Sequence, residues 1–147
     1  MTTEPTRPEI AQILQDARNI GVFYANPRSS APAHYVPAYL RSVGYRVLPI
    51  HPAHGGTVLH GEPVRESTAT LDLPVDVLVI FRRPEALKTH VDEWLAMRPL
   101  PTVIWTQSGI RDDDVARQLR NAGITVVQDH CMMVEHRALA VGRIPGT

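Results

Sequence analysis

Short uninterrupted apolar runs alternate along this chain with stretches in which apolar side chains recur every three or four positions. The runs at 20–25, 46–50, 76–81, 102–106 and 124–128 have strand length, and continuous runs of this kind are expected where both faces of a sheet are covered. The stripes between them supply the cover. Ile10, Ile13, Leu14 and Ala17 fall on one helical face over 8–18, with Pro8 and Glu9 suited to a first turn. Val36, Tyr39, Leu40 and Val43 repeat the spacing and Gly44 is placed to close that helix. Leu87, Val91, Trp94 and Leu95 follow Pro84 and stop before Pro99 and Pro101. Asp112, Asp113 and Asp114 stand at the positive end of a helix that carries Val115, Leu119 and Ala122 and closes at Gly123. A last helix is expected over 132–139. Pro37 conflicts with its own segment: a proline past the first turn costs about 3 kcal/mol, so that helix is expected to kink there or to start late.

Five strands joined by crossover helices imply an α/β fold: a doubly wound, Rossmann-like, mostly parallel five-stranded sheet with right-handed connections and helices on both faces. The loop 51–61 and a short edge piece near Val64 lie between the second and third strands. In such sheets ligands bind beyond the carboxyl ends of the strands, where the loops 26–32, 51–61, 82–84 and 107–109 would converge. Residues 1–7 read as a flexible N-terminus, 8–139 as one domain and 140–147 as a mobile tail.

The chain has 147 residues, enough for one domain with a sizeable core. Fifteen basic side chains balance fifteen acidic ones, so no net positive field draws it to nucleic acid or an anionic membrane. No apolar run approaches the roughly 20 residues of a bilayer span, and the N-terminus lacks a signal peptide's apolar region. The single cysteine, Cys131, excludes an internal disulfide framework, so a cytoplasmic setting is expected.

A nicotinamide or flavin dinucleotide is the usual ligand of this pattern, and the residues do not suit it. The first strand-to-helix turn has no Gly-x-Gly-x-x-Gly, its only glycine being Gly21 inside the strand. The second strand ends at His51, with no carboxylate for a ribose hydroxyl and no arginine following for a 2′-phosphate. A Walker-type phosphate loop is also absent.

Several stretches in order carry a family resemblance. They are 20–32 with Tyr39-Leu40 downstream, Gly44-Tyr-Arg-Val-Leu-Pro-Ile-His-Pro52, Gly61-Glu-Pro63, Val75-Asp-Val-Leu-Val-Ile-Phe-Arg82, Val103-Ile-Trp-Thr-Gln-Ser-Gly109 and Asp129-His-Cys-Met-Met-Val-Glu-His136. Together they resemble the stand-alone CoA-binding proteins related to the CoA-binding domain of the succinyl-CoA synthetase α-subunit. The resemblance implies coenzyme A or an acyl-CoA as ligand, held without catalysis at the C-terminal edge of the sheet. It implies a phosphate-contacting turn at Ala25, Asn26, Pro27, Arg28 and Ser29, and an adenosine-side loop at His51, Pro52, Ala53 and His54. Phe81 and Arg82 match the segment after the third strand; Thr106, Gln107 and Ser108 match the one after the fourth. Arg28 or Arg82 suits a bidentate phosphate contact, and His54 or Arg28 the 3′-phosphate of CoA. Three positions depart from the family pattern: Tyr24 stands for a glycine, Asn26 for a serine and His51 for an asparagine. The resemblance carries no ligase reaction, because the synthetase's phosphorylated histidine belongs to a separate domain.

Other chemistry stays open beside this reading. His51, His54 and His60 are spaced H-x2-H-x5-H, with His130, Cys131 and His136 expected near the same edge, but no spacing matches a standard zinc motif and no metal ligand is assigned. Cys131 follows the fifth strand at the start of the last helix, a setting in which reactive thiols occur; a buried small hydrophobe is the plainer role. Gln128 and Asp129 suit helix capping, and Glu135 with His136 a surface pair. The alternatives are a small enzyme or redox protein using Cys131 or a histidine metal site, and a module that has lost its ligand and acts through a protein partner or a second copy. No catalytic residue is assigned.

Overall fold

The computed structural model describes residues 4–139 and 142; residues 1–3 of the expected flexible segment and, Gly142 apart, the expected tail 140–147 lie outside the described residues. The first helix, α1 (Arg7–Asp16), starts with a reciprocal cap: the Glu9 amide donates to the Thr6 hydroxyl at 3.3 Å and the Thr6 amide to the Glu9 carboxylate at 2.7 Å. Before it, Glu4 is held by Arg120 at 2.6 Å and by the Gln128 amide at 3.3 Å.

The apolar runs form β1 (Asn19–Phe23), β2 (Arg46–Ile50), β5 (Val77–Ile80), β6 (Val103–Thr106) and β7 (Thr125–Val127). They pair in parallel in the order β2-β1-β5-β6-β7. Between β2 and β5 the chain makes a small antiparallel pair, β3 (Val58–Leu59) and β4 (Glu62–Pro63), tied to the β2 edge by a parallel bridge between Ile50 and Arg65. The piece expected near Val64 is part of this appendage.

Successive strand residues face opposite sides, and both sides are covered. Val22, Val47, Val79, Trp105 and Val127 pack with α1, α2 (Pro32–Ser42) and α5 (Met132–Ala138). Phe23, Leu48, Leu78, Ile104 and Val126 pack with α3 (Val91–Leu95) and α4 (Asp113–Asn121). That double burial is why the runs are apolar throughout. Asp76, just before β5, accepts the amides of Arg18 and Asn19 at 2.8 Å each and so pins the start of β1 to its neighbour.

Two segments differ from their sequence expectations. Of the two outcomes expected from Pro37, a kink or a late start, the late start does not occur: α2 begins with Pro32 in its first turn and continues past Pro37. A proline at 37 cannot donate to Ala33, and the freed Ala33 carbonyl instead accepts the Asn26 amide at 3.2 Å, tying the loop after β1 to the helix. After Pro84 the chain forms a 3-10 segment, Pro84–Thr89, before α3, with three-residue bonds such as His90 N–H to Leu87 O at 3.0 Å. Leu87, Val91 and Trp94 are buried as the stripe requires.

The strand order reverses between β1 and β5, because the chain leaves β1 toward β2 and then crosses back over to β5. Doubly wound sheets open a crevice at such a point. Tyr24 follows β1 there, and Phe81 and Arg82 follow β5. Among the described residues no helix is long and apolar enough to cross a membrane.

Candidate functional site

At the end of β1 the backbone turns through Tyr24, which holds a left-handed φ of 67°. That conformation is easy for glycine and costly for a bulky side chain, which gives a physical reason for the glycine of the family pattern at this position. The Ile50 carbonyl at the end of β2 accepts two amides, Tyr24 at 2.8 Å and Ala25 at 3.1 Å, and this pair holds the turn. The Tyr24 ring packs against Phe23 at 5.0 Å and His51 at 4.6 Å between centroids, with His90 at 5.7 Å and the Arg82 guanidinium over it at 4.4 Å. None of these ring contacts comes from α2. The ring belongs to the face carrying α3, on the other side from the helix start that follows the turn.

The rest of the turn folds back on itself. Asn26 Oδ1 accepts the Arg28 amide at 2.8 Å, and the Asn26 carbonyl meets His34 Nδ1 at 2.9 Å. The amides of Tyr24, Ala25, Asn26 and Arg28 are therefore all used internally, and Pro27 has none. The amides of Ser29 and Ser30 have no hydrogen-bond partner among the described residues, and Arg28, Ser29 and Ser30 are exposed. Ala31 caps α2 without a side-chain hydrogen bond, so the positive end of the helix is open beside them.

In the loop after β2, His51 Nδ1 accepts the Ala53 amide at 3.0 Å, which makes the ring neutral with its proton on Nε2. Burial pushes its pKa below the usual value, helped by His54, whose tilted ring lies 4.3 Å away between centroids, and by Arg82. Pro52 and Ala53 are exposed. His60 lies apart, its ring 4.8 Å from that of His34 and its Nε2 buried without a partner. The expected trio of histidines thus divides between two places. Among the described residues no three His, Cys, Asp or Glu side chains are arranged to hold a metal ion.

After β5, Arg82 Nε donates to His90 Nε2 at 3.1 Å, and His90 Nδ1 lies 2.7 Å from Glu93 Oε1. The terminal nitrogens of Arg82 have no partner among the described residues. Phe81 packs against the α1–α2–α5 side of the core. After β6, Thr106 donates to the Ile110 carbonyl at 2.7 Å and accepts the Asp129 amide at 3.2 Å. Buried Gln107 accepts the Met132 amide at 3.1 Å at the start of α5, so these two side chains hold loops together while Ser108 is exposed.

Cys131 is half-buried and caps α5 without a side-chain bond. His136 is buried and bonded to the Tyr39 hydroxyl at 2.8 Å, with its pKa lowered by burial; Glu135 faces Arg7 and His130 instead. Asp112 caps α4 by accepting the Val115 amide at 3.1 Å, and Gln128 accepts the Asp112 amide at 2.8 Å. A recess of about 610 Å³ lies at the opposite edge of the sheet, between α1 and the starts of β5 to β7. Its Asp76, Glu4 and Arg120 are committed to the contacts already described.

The structure therefore brings Tyr24, His51, His54 and Arg82 into one aromatic and cationic cluster. Arg28 and Ser29 lie at the start of α2, and Thr106 and Gln107 serve the neighbouring loops. Sequence reasoning missed His90 and Glu93. Their signal was the i, i+3 spacing of a histidine and a carboxylate at a helix start.

A family model described as a CoA binding domain matches residues 18–137. The uncharacterised protein YneT of Bacillus subtilis (strain 168) is 30% identical over 132 residues, covering 90% of this chain and 95% of that protein. A solved Thermus thermophilus protein is 47% identical with a TM-score of 0.88, over 92% of this chain and 99% of that one. A hypothetical protein from Pyrococcus horikoshii OT3 shares the fold at 24% identity and a TM-score of 0.83, over 95% of this chain and 98% of its own.

Proposed function

This chain belongs to the CoA-binding domain family, and from that premise we propose that it is a binding module for coenzyme A or an acyl-CoA, without catalysis of its own. The observation that carries the reading is the kind of polar group left unpartnered around the switch point. The Ser29 and Ser30 amides, exposed Arg28 and the Arg82 terminal nitrogens are all anion donors, three of them next to an uncapped helix start.

In this reading Arg28 and Ser29, on the loop with Ala25, Asn26 and Pro27, take the phosphates, and Tyr24 leaves room because its ring packs on the other side. His51, Pro52, Ala53 and His54 flank the adenosine half. Phe81 and Arg82 border the crevice from β5, and Thr106, Gln107 and Ser108 from β6. Cys131, half-buried against the core, is better suited to packing than to chemistry.

Titration calorimetry and thermal shift with CoA test this. A ligand at 100 times its dissociation constant stabilises the folded state by about 2.7 kcal/mol, so a clear rise in melting temperature is expected. Arg28→Ala and Arg82→Ala should each weaken binding. Absence of any shift at millimolar CoA overturns the reading.

A further inference from the structure

Resting on that reading, we propose that His90 and Glu93 are positioning residues that hold the Arg82 guanidinium ready for a ligand phosphate. Arg82 Nε can only donate, so His90 Nε2, 3.1 Å away, must offer a lone pair. The imidazole is then neutral with its proton on Nδ1, which donates to the Glu93 carboxylate at 2.7 Å. The relay runs from Glu93 through His90 to Arg82, and the guanidinium it fixes lies 4.4 Å from the Tyr24 ring centre. One nitrogen of the fork is spent on the relay and the two terminal ones stay free for an oxyanion.

A long arginine side chain on a surface loses rotamer freedom when it grips an anion. Here the Tyr24 ring and the His90 acceptor have already removed much of that freedom, so less is lost on binding. The ionisable groups facing His90 are Arg82 from the loop after β5, Glu93 from α3 and Tyr24 from the turn after β1, with His51 beyond Tyr24; Phe23 and Trp94 complete its surroundings.

The test uses the full chain, CoA as probe and three variants. His90→Leu removes the acceptor and should raise the CoA dissociation constant about tenfold, equivalent to about 1.4 kcal/mol. His90→Gln can accept from Arg82 and donate to Glu93. It should bind like the wild type, a rescue that the Leu variant does not show. Glu93→Gln should fall between the two. An arginine Nε–H NMR resonance of Arg82 gives a ligand-free readout: slowed exchange in wild type and His90→Gln, lost in His90→Leu. A His90→Leu protein that binds as wild type, or a Gln variant as weak as the Leu variant, overturns the inference. If the wild type fails to bind CoA, the functional reading falls with the ligand half of this inference, and an unprotected Arg82 resonance removes the relay as well.

Discussion

The Arg82 guanidinium carbon lies 4.4 Å from the centre of the Tyr24 ring, and Tyr24 holds that ring in place from a backbone φ of 67°. A bulky residue in the left-handed region carries a local cost of about 1–2 kcal/mol, and the contacts of the ring with Arg82, His51 and Phe23 offset it. Backbone strain and side-chain packing are therefore opposed at one residue.

They can be separated by substitution. Tyr24→Ala keeps the strained backbone and loses the ring, whereas Tyr24→Gly loses both. Urea unfolding should find the Gly variant about 1 kcal/mol more stable than the Ala variant, with both below wild type. An Ala variant as stable as the Gly variant would show that the turn tolerates a Cβ without cost.

Gly21 lies on the face of β1 that carries Leu78. A Cβ built there would come 2.9 Å from Leu78 Cδ1 and 3.2 Å from Val75 Cγ1. Gly21→Ala should cost about 1–3 kcal/mol by overpacking, and Leu78→Val in the same chain should recover part of it. Additive losses in the double variant would argue against a shared clash.

Asp76 carries the amides of two residues more than fifty positions away in sequence. Asp76→Ala leaves both amides without their acceptor and should cost about 2–4 kcal/mol; Asp76→Asn keeps one acceptor oxygen and should cost less. Chemical denaturation with both variants decides this, and equal losses for the two would refute the acceptor role.

Burial, with His34 and Arg41 adding to it, lowers the His60 pKa from 6.5 to about 4. The folded state thus prefers the neutral ring, while the unfolded chain takes up a proton near pH 6.5. Above that pH the group contributes nothing to the pH dependence; as pH falls from about 6.5 toward 4, stability declines. Burial acts in the same direction on His51 and His136. His60→Asn, which tolerates the left-handed φ of 54°, should lose less stability than wild type between pH 7 and 5. Parallel stability curves for the two proteins would exclude His60 as a contributor.

The sheet was legible in the sequence because each strand buries both faces, so its apolar run needs no knowledge of its neighbours. The helix ends were legible for a similar reason: Gly44 and Gly123 hold φ values of 112° and 95°, which local sequence anticipates. What offsets Pro37 was not legible, because the amide that takes the freed Ala33 carbonyl, that of Asn26, lies outside the helix. The edge on which the loops after the strands gather followed from strand alternation. His90 escaped notice because its acceptor role exists only once the loop after β5 meets α3.

Taken alone, the sequence determined a doubly wound parallel sheet, the edge where its loops meet and the family to which the chain belongs. These rest on local periodicity and on ordered motifs, both of which a linear chain records. Only tertiary structure decided which side the Tyr24 ring takes, which amides of the turn stay free and which nitrogen of Arg82 is spent. Those depend on directional hydrogen bonds and ring contacts that reach across the sheet, as from Ile50 to Tyr24 and Ala25. Direction and pairing of that kind are set in three dimensions and leave no periodic trace in sequence.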